Sequence, residues 1–171
     1  MAKGKLENNN AKSSSDGRDL KLLLVDENVY DLEYYAEVLR YLGYNVKPVD
    51  SYRRAASALG REQFDAVIVD QGSVDFEGRS VLSRAVEVDR HVPVLVLTRT
   101  VDADCCIDAL DAGAREYVQK PLTISEVREL VGDYVKLPPE TLHADRPFAY
   151  NGALAAVSGA GAGGGSLRKV S

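Results

Sequence analysis

Four short apolar runs in this chain end at or just before residues that can do chemistry. Leu22 to Val25 leads into Asp26 and Glu27, Ala66 to Val69 into Asp70, and Val94 to Leu97 into Thr98, while Tyr117-Val118 is followed closely by Lys120-Pro121. If these runs are strands of one parallel sheet, their carboxyl ends face the same crevice, and carboxylates, a hydroxyl and an ammonium converge there. Three carboxylates cannot crowd together uncompensated, because each raises the pKa of its neighbours. A divalent, oxygen-preferring cation relieves that repulsion, and Mg2+ suits an all-oxygen site with one or two carboxylates and several waters.

The elements that must position these groups are legible from periodicity. The four runs are nearly continuous in apolar residues, as strands buried on both faces are. A fifth, Asn45 to Val49, carries Pro48, which cannot donate to a ladder and belongs at a sheet edge. Amphipathic stretches lie between the strands, the first with Leu32, Tyr35, Ala36, Leu39 and Leu42 on one stripe. Gly43, Gly60 and Gly113 follow the last apolar helical residues, where a left-handed C′ position suits glycine. Thr123-Ile124-Ser125-Glu126 has the pattern of a capping box opening the last helix. Strands alternating with helices imply right-handed crossovers and an α/β fold, a doubly wound parallel sheet with its ligand site at the switch point.

The length, 171 residues, suits one domain with tails. Residues 1–19 are polar, with Asn8-Asn9-Asn10 and Ser13-Ser14-Ser15, and read as a disordered leader; residues 138–171 open on Pro138-Pro139, turn rich in Gly and Ala, and read as a flexible tail. A short helix around Ala153 to Val157 is compatible with that stretch. The net charge of −5 leaves no basic footprint, which argues against an electrostatic grip on nucleic acid or an anionic membrane. No apolar run reaches the roughly 18 residues of a membrane helix, and Lys3, Lys5 and Lys12 are not followed by the apolar run of a secretory signal. The expectation is a soluble, cytoplasmic protein. Adjacent Cys105 and Cys106 form neither a disulfide framework nor a ligand cluster and are read as packing residues.

Four segments, taken in order, carry a family likeness: Leu-Leu-Leu-Val-Asp-Glu at 22 to 27, Phe-Asp-Ala-Val-Ile-Val-Asp at 64 to 70, Pro-Val-Leu-Val-Leu-Thr at 93 to 98, and Ala-Gly-Ala-Arg-Glu-Tyr-Val-Gln-Lys-Pro at 112 to 121. From about Leu20 to Leu137 the chain resembles response-regulator receiver domains of two-component signalling. The resemblance implies a five-stranded (βα)5 flavodoxin-like fold with strand order 2-1-3-4-5. It makes Asp70 the acceptor of a phosphoryl group from a sensor histidine kinase or a histidine phosphotransfer protein. It assigns Mg2+ to Asp26, Glu27, Asp70 and the Gly72 backbone carbonyl, and charge neutralisation to Lys120. Thr98 and Tyr117 become the switch pair, and the face of the fourth helix, fifth strand and fifth helix becomes the surface for a downstream protein or a second copy. Such a domain is a self-phosphorylating switch rather than an enzyme turning over an external substrate.

The chain departs from the family pattern at three positions. Glu27 stands where a second aspartate is usual, and its extra methylene moves the carboxylate against the strict geometry of Mg2+. Val74 replaces a common proline four residues after the acceptor, while Gly78 is retained. Arg99 replaces the small residue usual after the threonine, where a guanidinium can crowd the donor's route or pair with phosphate oxygens. These departures sustain a rival reading, an atypical receiver acting as a phosphorylation-independent interaction module. A phosphatase of the same class lacks its acid or base, the two histidines being His91 and His143. After Leu137 no helix-turn-helix pattern or basic recognition helix follows, so direct DNA reading is not expected.

Overall fold

In a computed structural model that describes residues 19–137 and Phe148, ten elements alternate along the chain. They are β1 (Lys21–Val25), α1 (Val29–Tyr41), β2 (Asn45–Val49), α2 (Tyr52–Leu59), β3 (Ala66–Asp70), α3 (Arg79–Val88), β4 (Val94–Thr98), α4 (Ala103–Asp111), β5 (Glu116–Gln119) and α5 (Ile124–Gly132). The strands form one parallel sheet in the order β2-β1-β3-β4-β5, so the winding direction reverses between β1 and β3. Pro48 lies on the edge strand β2, as its missing N–H requires.

Period-two alternation splits the strands between two cores. Leu22, Leu24, Ala66, Ile68, Leu95 and Leu97 face α1 and α5, where Leu32, Tyr35, Leu39, Val127 and Val131 are buried. Leu23, Val25, Val67, Val69, Val94 and Val96 face α2, α3 and α4. Burial of each Val or Leu side chain contributes roughly 1.5–3 kcal/mol, which is why these strands read as unbroken apolar runs. Cys105 is buried within the second core, its thiol pKa raised by that burial, and Cys106 is half-buried.

The helix ends follow the sequence reading with one correction. Gly43 and Gly113 take left-handed φ values of 101° and 104°. Gly60 does not: its φ is −80°, within the right-handed region. There the amides of Arg61 and Glu62 both reach the Ala58 carbonyl, at 3.0 and 2.9 Å, so the turn closes without a left-handed residue. The capping box at α5 is formed, Thr123 and Glu126 bonding reciprocally.

The expected leader over 1–19 and tail over 138–171 lie, Asp19 and Phe148 apart, outside the described residues, as does the short helix at 153–157. Phe148 sets its ring edge-on to Tyr41 of α1, with centroids 5.2 Å apart.

The loop from β3 to α3 is cross-braced. Gly78 N–H donates to the Gln71 carbonyl at 3.0 Å, Ser73 bonds Glu77 through both its amide and its hydroxyl at 2.7 Å, and Phe76, at φ 52°, buries its ring in the second core. Val74 is exposed at the rim of this loop. A Cβ on Gly78 would stand 2.1 Å from the backbone oxygen of Asp70. Gly78→Ala is therefore expected to lower stability by about 1–3 kcal/mol, the cost of forcing backbone apart in a packed region, measurable as a shift in urea midpoint at unchanged m-value.

Candidate functional site

Strand register brings the chemistry together. Val25 is in register with Val69, so Asp26 follows β1 level with Asp70 at the end of β3. Asp70 is itself opposite Leu97, one residue before Thr98, and Thr98 is opposite Gln119, one residue before Lys120. The Lys120 amide then donates to the Thr98 carbonyl at 2.7 Å.

The Lys120 ammonium is the centre of the site. Its Nζ donates to Asp70 Oδ1 at 2.6 Å, to Asp31 Oδ2 at 2.7 Å and to Asp26 Oδ2 at 2.8 Å. All three N–H bonds of an ammonium are thereby used. The side chain is only 4% exposed. Burial disfavours its charge, yet the three carboxylates outweigh burial and raise its pKa. Asp26 goes the other way: its burial is the largest influence and its carboxyl is raised, with Asp70 adding to the rise and Lys120 opposing it. Asp31 is also pushed up by burial, but the bonds and charges of Lys120 and Arg99 prevail and hold it below the ordinary carboxylate range.

The remaining oxygens of the aspartates are held too. Asp26 Oδ1 accepts from the Asn28 amide at 2.8 Å. Asp70 Oδ2 accepts from the Gly72 amide at 2.8 Å and, more weakly, from the Tyr52 hydroxyl at 3.4 Å. Tyr52 is buried among acidic groups, and burial followed by the Asp70 charge raises its pKa.

The three carboxylates that meet on the ammonium are Asp26, Asp31 and Asp70. Asp31 takes part, while Glu27 is exposed and makes no hydrogen bond or ion pair among the described residues. Among those residues, no three acidic, histidine or cysteine side chains form a group that could hold a metal. What Asp26, Asp31 and Asp70 share is the ammonium. The donors nonetheless suit a hydrated Mg2+, which asks for one or two carboxylates and otherwise water. Asp26 and Asp70 supply hard oxygens, and the Gly72 carbonyl accepts no hydrogen bond among the described residues.

Thr98 is buried at the tip of β4, and its hydroxyl donates to the Thr100 carbonyl at 2.7 Å rather than to Asp70. Tyr117 donates its hydroxyl to the Gln71 side chain, next in sequence to Asp70. Arg99 reaches across to α1, where its Nε and a terminal nitrogen donate to Asp31 Oδ2 at 3.2 and 2.9 Å.

Sequence reasoning missed Asp31, Tyr52 and Gln71. Asp31 had a signal: it lies one turn before Tyr35 and beside Leu32 on the buried stripe, where a lone acid needs a partner. Tyr52 follows the end of β2, on the ligand edge of the sheet, as the first residue of α2, where an aromatic residue reads equally well as core packing.

A buried lysine clamped by aspartates at the switch point of a five-stranded parallel sheet defines a chemotaxis-regulator-like, flavodoxin-type domain. Residues 22–132 match the family model for the response regulator receiver domain, and the chain belongs to that family. It is 33% identical over 113 residues to the probable transcriptional regulatory protein TcrX of Mycobacterium tuberculosis, a match covering 66% of this chain and 48% of that protein. It is 30% identical over 115 residues to chemotaxis protein CheY-3 of Vibrio cholerae, covering 66% of this chain and 88% of that one. The solved receiver domain of a sensor histidine kinase from Pseudomonas aeruginosa, with magnesium coordinated in its active-site cleft, aligns with TM-score 0.61 and 25% identity over 68% of this chain and 98% of its own. The chain thus spans about half the length of the first of these relatives.

Proposed function

We propose that this chain is a phosphoacceptor switch in which Asp70 takes a phosphoryl group from a histidine kinase or a histidine phosphotransfer protein. The observation that carries this reading is the buried Lys120 ammonium 2.6 Å from Asp70 Oδ1. An oxygen of Asp70 attacks the phosphorus of a phosphohistidine. The new P–O bond forms as the P–N bond breaks, and the electrons of that bond leave on the imidazole nitrogen, which takes up a proton. Lys120 stays beside the acceptor and compensates charge on the transferred oxygens. Asp26, Asp70 and the Gly72 carbonyl, with Glu27 close by, are the groups that would hold Mg2+, whose charge when bound neutralises the phosphoryl oxygens.

After transfer, Thr98 exchanges the Thr100 carbonyl for a phosphoryl oxygen, and Tyr117 gives up Gln71 and moves inward as the switch aromatic. The partner surface lies on α4, β5 and α5, and exposed Val101, Ile107 and Leu110 supply apolar contacts for a protein target or a second copy. Among the described residues no helix is long and apolar enough to cross a membrane. We place the protein in the cytoplasm, acting through proteins rather than nucleic acid or lipid.

One observation favours the rival reading of a phosphorylation-independent module. Lys120 already has a full set of acceptors, so the ammonium is fully hydrogen-bonded without phosphate. Incubation with Mg2+ and phosphoramidate, followed by intact mass and amide chemical shifts, separates the two. A phosphoryl adduct with shifts reaching β5 supports the switch; an unmodified chain with an unchanged spectrum counts against it and favours the module.

A further inference from the structure

We propose that Asp31 is a positioning residue that restrains Lys120 and Arg99 until phosphoryl oxygens on Asp70 replace it as their acceptor. The inference rests on Asp70 being the phosphoacceptor. It starts from a single oxygen: Asp31 Oδ2 takes the Lys120 ammonium at 2.7 Å and two nitrogens of the Arg99 guanidinium at 2.9 and 3.2 Å. One anionic oxygen shared by an ammonium and a guanidinium is also how a phosphoryl oxygen is held.

Lys120 has no spare donor, so a phosphoryl oxygen can reach it only by displacing one of its three acceptors. Asp26 is the least able to leave, being 3% exposed and tied by its other oxygen to the Asn28 amide. Asp70 carries the new group. Asp31, 18% exposed and in the first turn of α1, is the one whose carboxylate can turn to water. Its release also frees Arg99, which is 59% exposed and sits in the loop after β4 beside Thr98. The Asp31–Arg99 bridge therefore ties that loop to α1 in the unmodified protein, and its loss accompanies the Thr98 movement. The sequence raised two roles for Arg99, crowding the entry and pairing with phosphate; these become successive states of one side chain.

The test compares rates of adduct formation with phosphoramidate and Mg2+, read by intact mass. The donor's P–N bond breaks, ammonia leaves after taking a proton, and the phosphoryl group stays on Asp70. Asp31→Asn is expected to react faster than wild type by about fivefold, the order associated with one partly exposed ion pair. Asp75→Asn removes a charge from the exposed β3–α3 loop without touching Lys120 or Arg99, and its rate should stay near wild type. Asp31→Glu keeps the charge and should restore a slow rate. Arg99→Ala should accelerate the wild-type background and slow the Asp31→Asn background, where the guanidinium is free to hold phosphate. As an independent readout, the Arg99 Nε resonance should move with beryllofluoride in wild type and be displaced already in unmodified Asp31→Asn. Equal rates in Asp31→Asn and wild type, or an Arg99 resonance indifferent to both changes, overturn the inference while leaving the phosphoacceptor reading intact. Absence of any adduct in wild type and variants alike overturns both.

Discussion

Asp70→Asn is expected to reduce phosphoryl incorporation to background while making the folded protein more stable. An amide oxygen is a poor nucleophile and cannot carry the charge that attack on phosphorus requires, so the loss should be complete within detection by intact mass. The stability gain comes from electrostatics: Asp70 is one of the influences that raise the buried Asp26 carboxyl. Removing that charge relieves Asp26 and leaves Lys120 with two anionic partners and one neutral acceptor. The gain should appear at pH 7 as a urea midpoint moved to higher denaturant at unchanged m-value. Incorporation that persists in the asparagine variant would move the acceptor elsewhere. A fall in stability would show that the bond from Lys120 outweighs the repulsion.

Lys120→Met is expected to destabilise the fold by about 3–5 kcal/mol at neutral pH, because it strips the shared cation from buried carboxylates. The side chains of Asp26 and Asp70 are only 3% and 14% exposed, so water cannot replace the ammonium fully. The sign of the pH dependence follows. Lys120 has its pKa raised by folding, so its contribution is fully present below the unfolded lysine value and is lost only as pH rises through the raised one. Asp31, held low, contributes above its unfolded value and loses that contribution as pH falls through the folded one. Between pH 7 and pH 4 the gap between Lys120→Met and wild type should therefore narrow, as the orphaned carboxylates take up protons in the variant. Phosphoryl incorporation should drop on the order of a hundredfold, as for removal of one preorganised charge-stabilising group. Equal urea midpoints at pH 7 would mean that the three bonds to Nζ contribute nothing net.

The strand tips were legible because both their causes are local. Apolar runs mark buried strands, and the residue after each run must emerge at the sheet's carboxyl edge; Asp26, Asp70, Thr98 and Lys120 all do so. Local signals also sufficed for the capping box and for Pro48 at the edge. What pattern could not supply was the choice made by a long side chain. Lys120 has several carboxylates within reach, and its selection of Asp31 depends on how α1 packs across the sheet. Glu27 shows the converse: adjacency to Asp26 in sequence gives it no share in the ion-paired cluster. Gly60 shows that a glycine at a helix end need not be left-handed when the next two amides can close the turn. Phe76 reaches a left-handed φ without being glycine, its cost met by burying a ring, and nothing in its neighbours' chemistry announces that.

Pro48 has a consequence for how these molecules behave when concentrated. The free edge of a sheet is a template, its row of unpaired amides ready to receive a strand from another chain. Pro48 interrupts that row near the middle of β2, opposite Leu24 in the ladder. A second copy aligning there meets a gap in the donors, so ribbon-like polymerisation through this margin is disfavoured with or without phosphate.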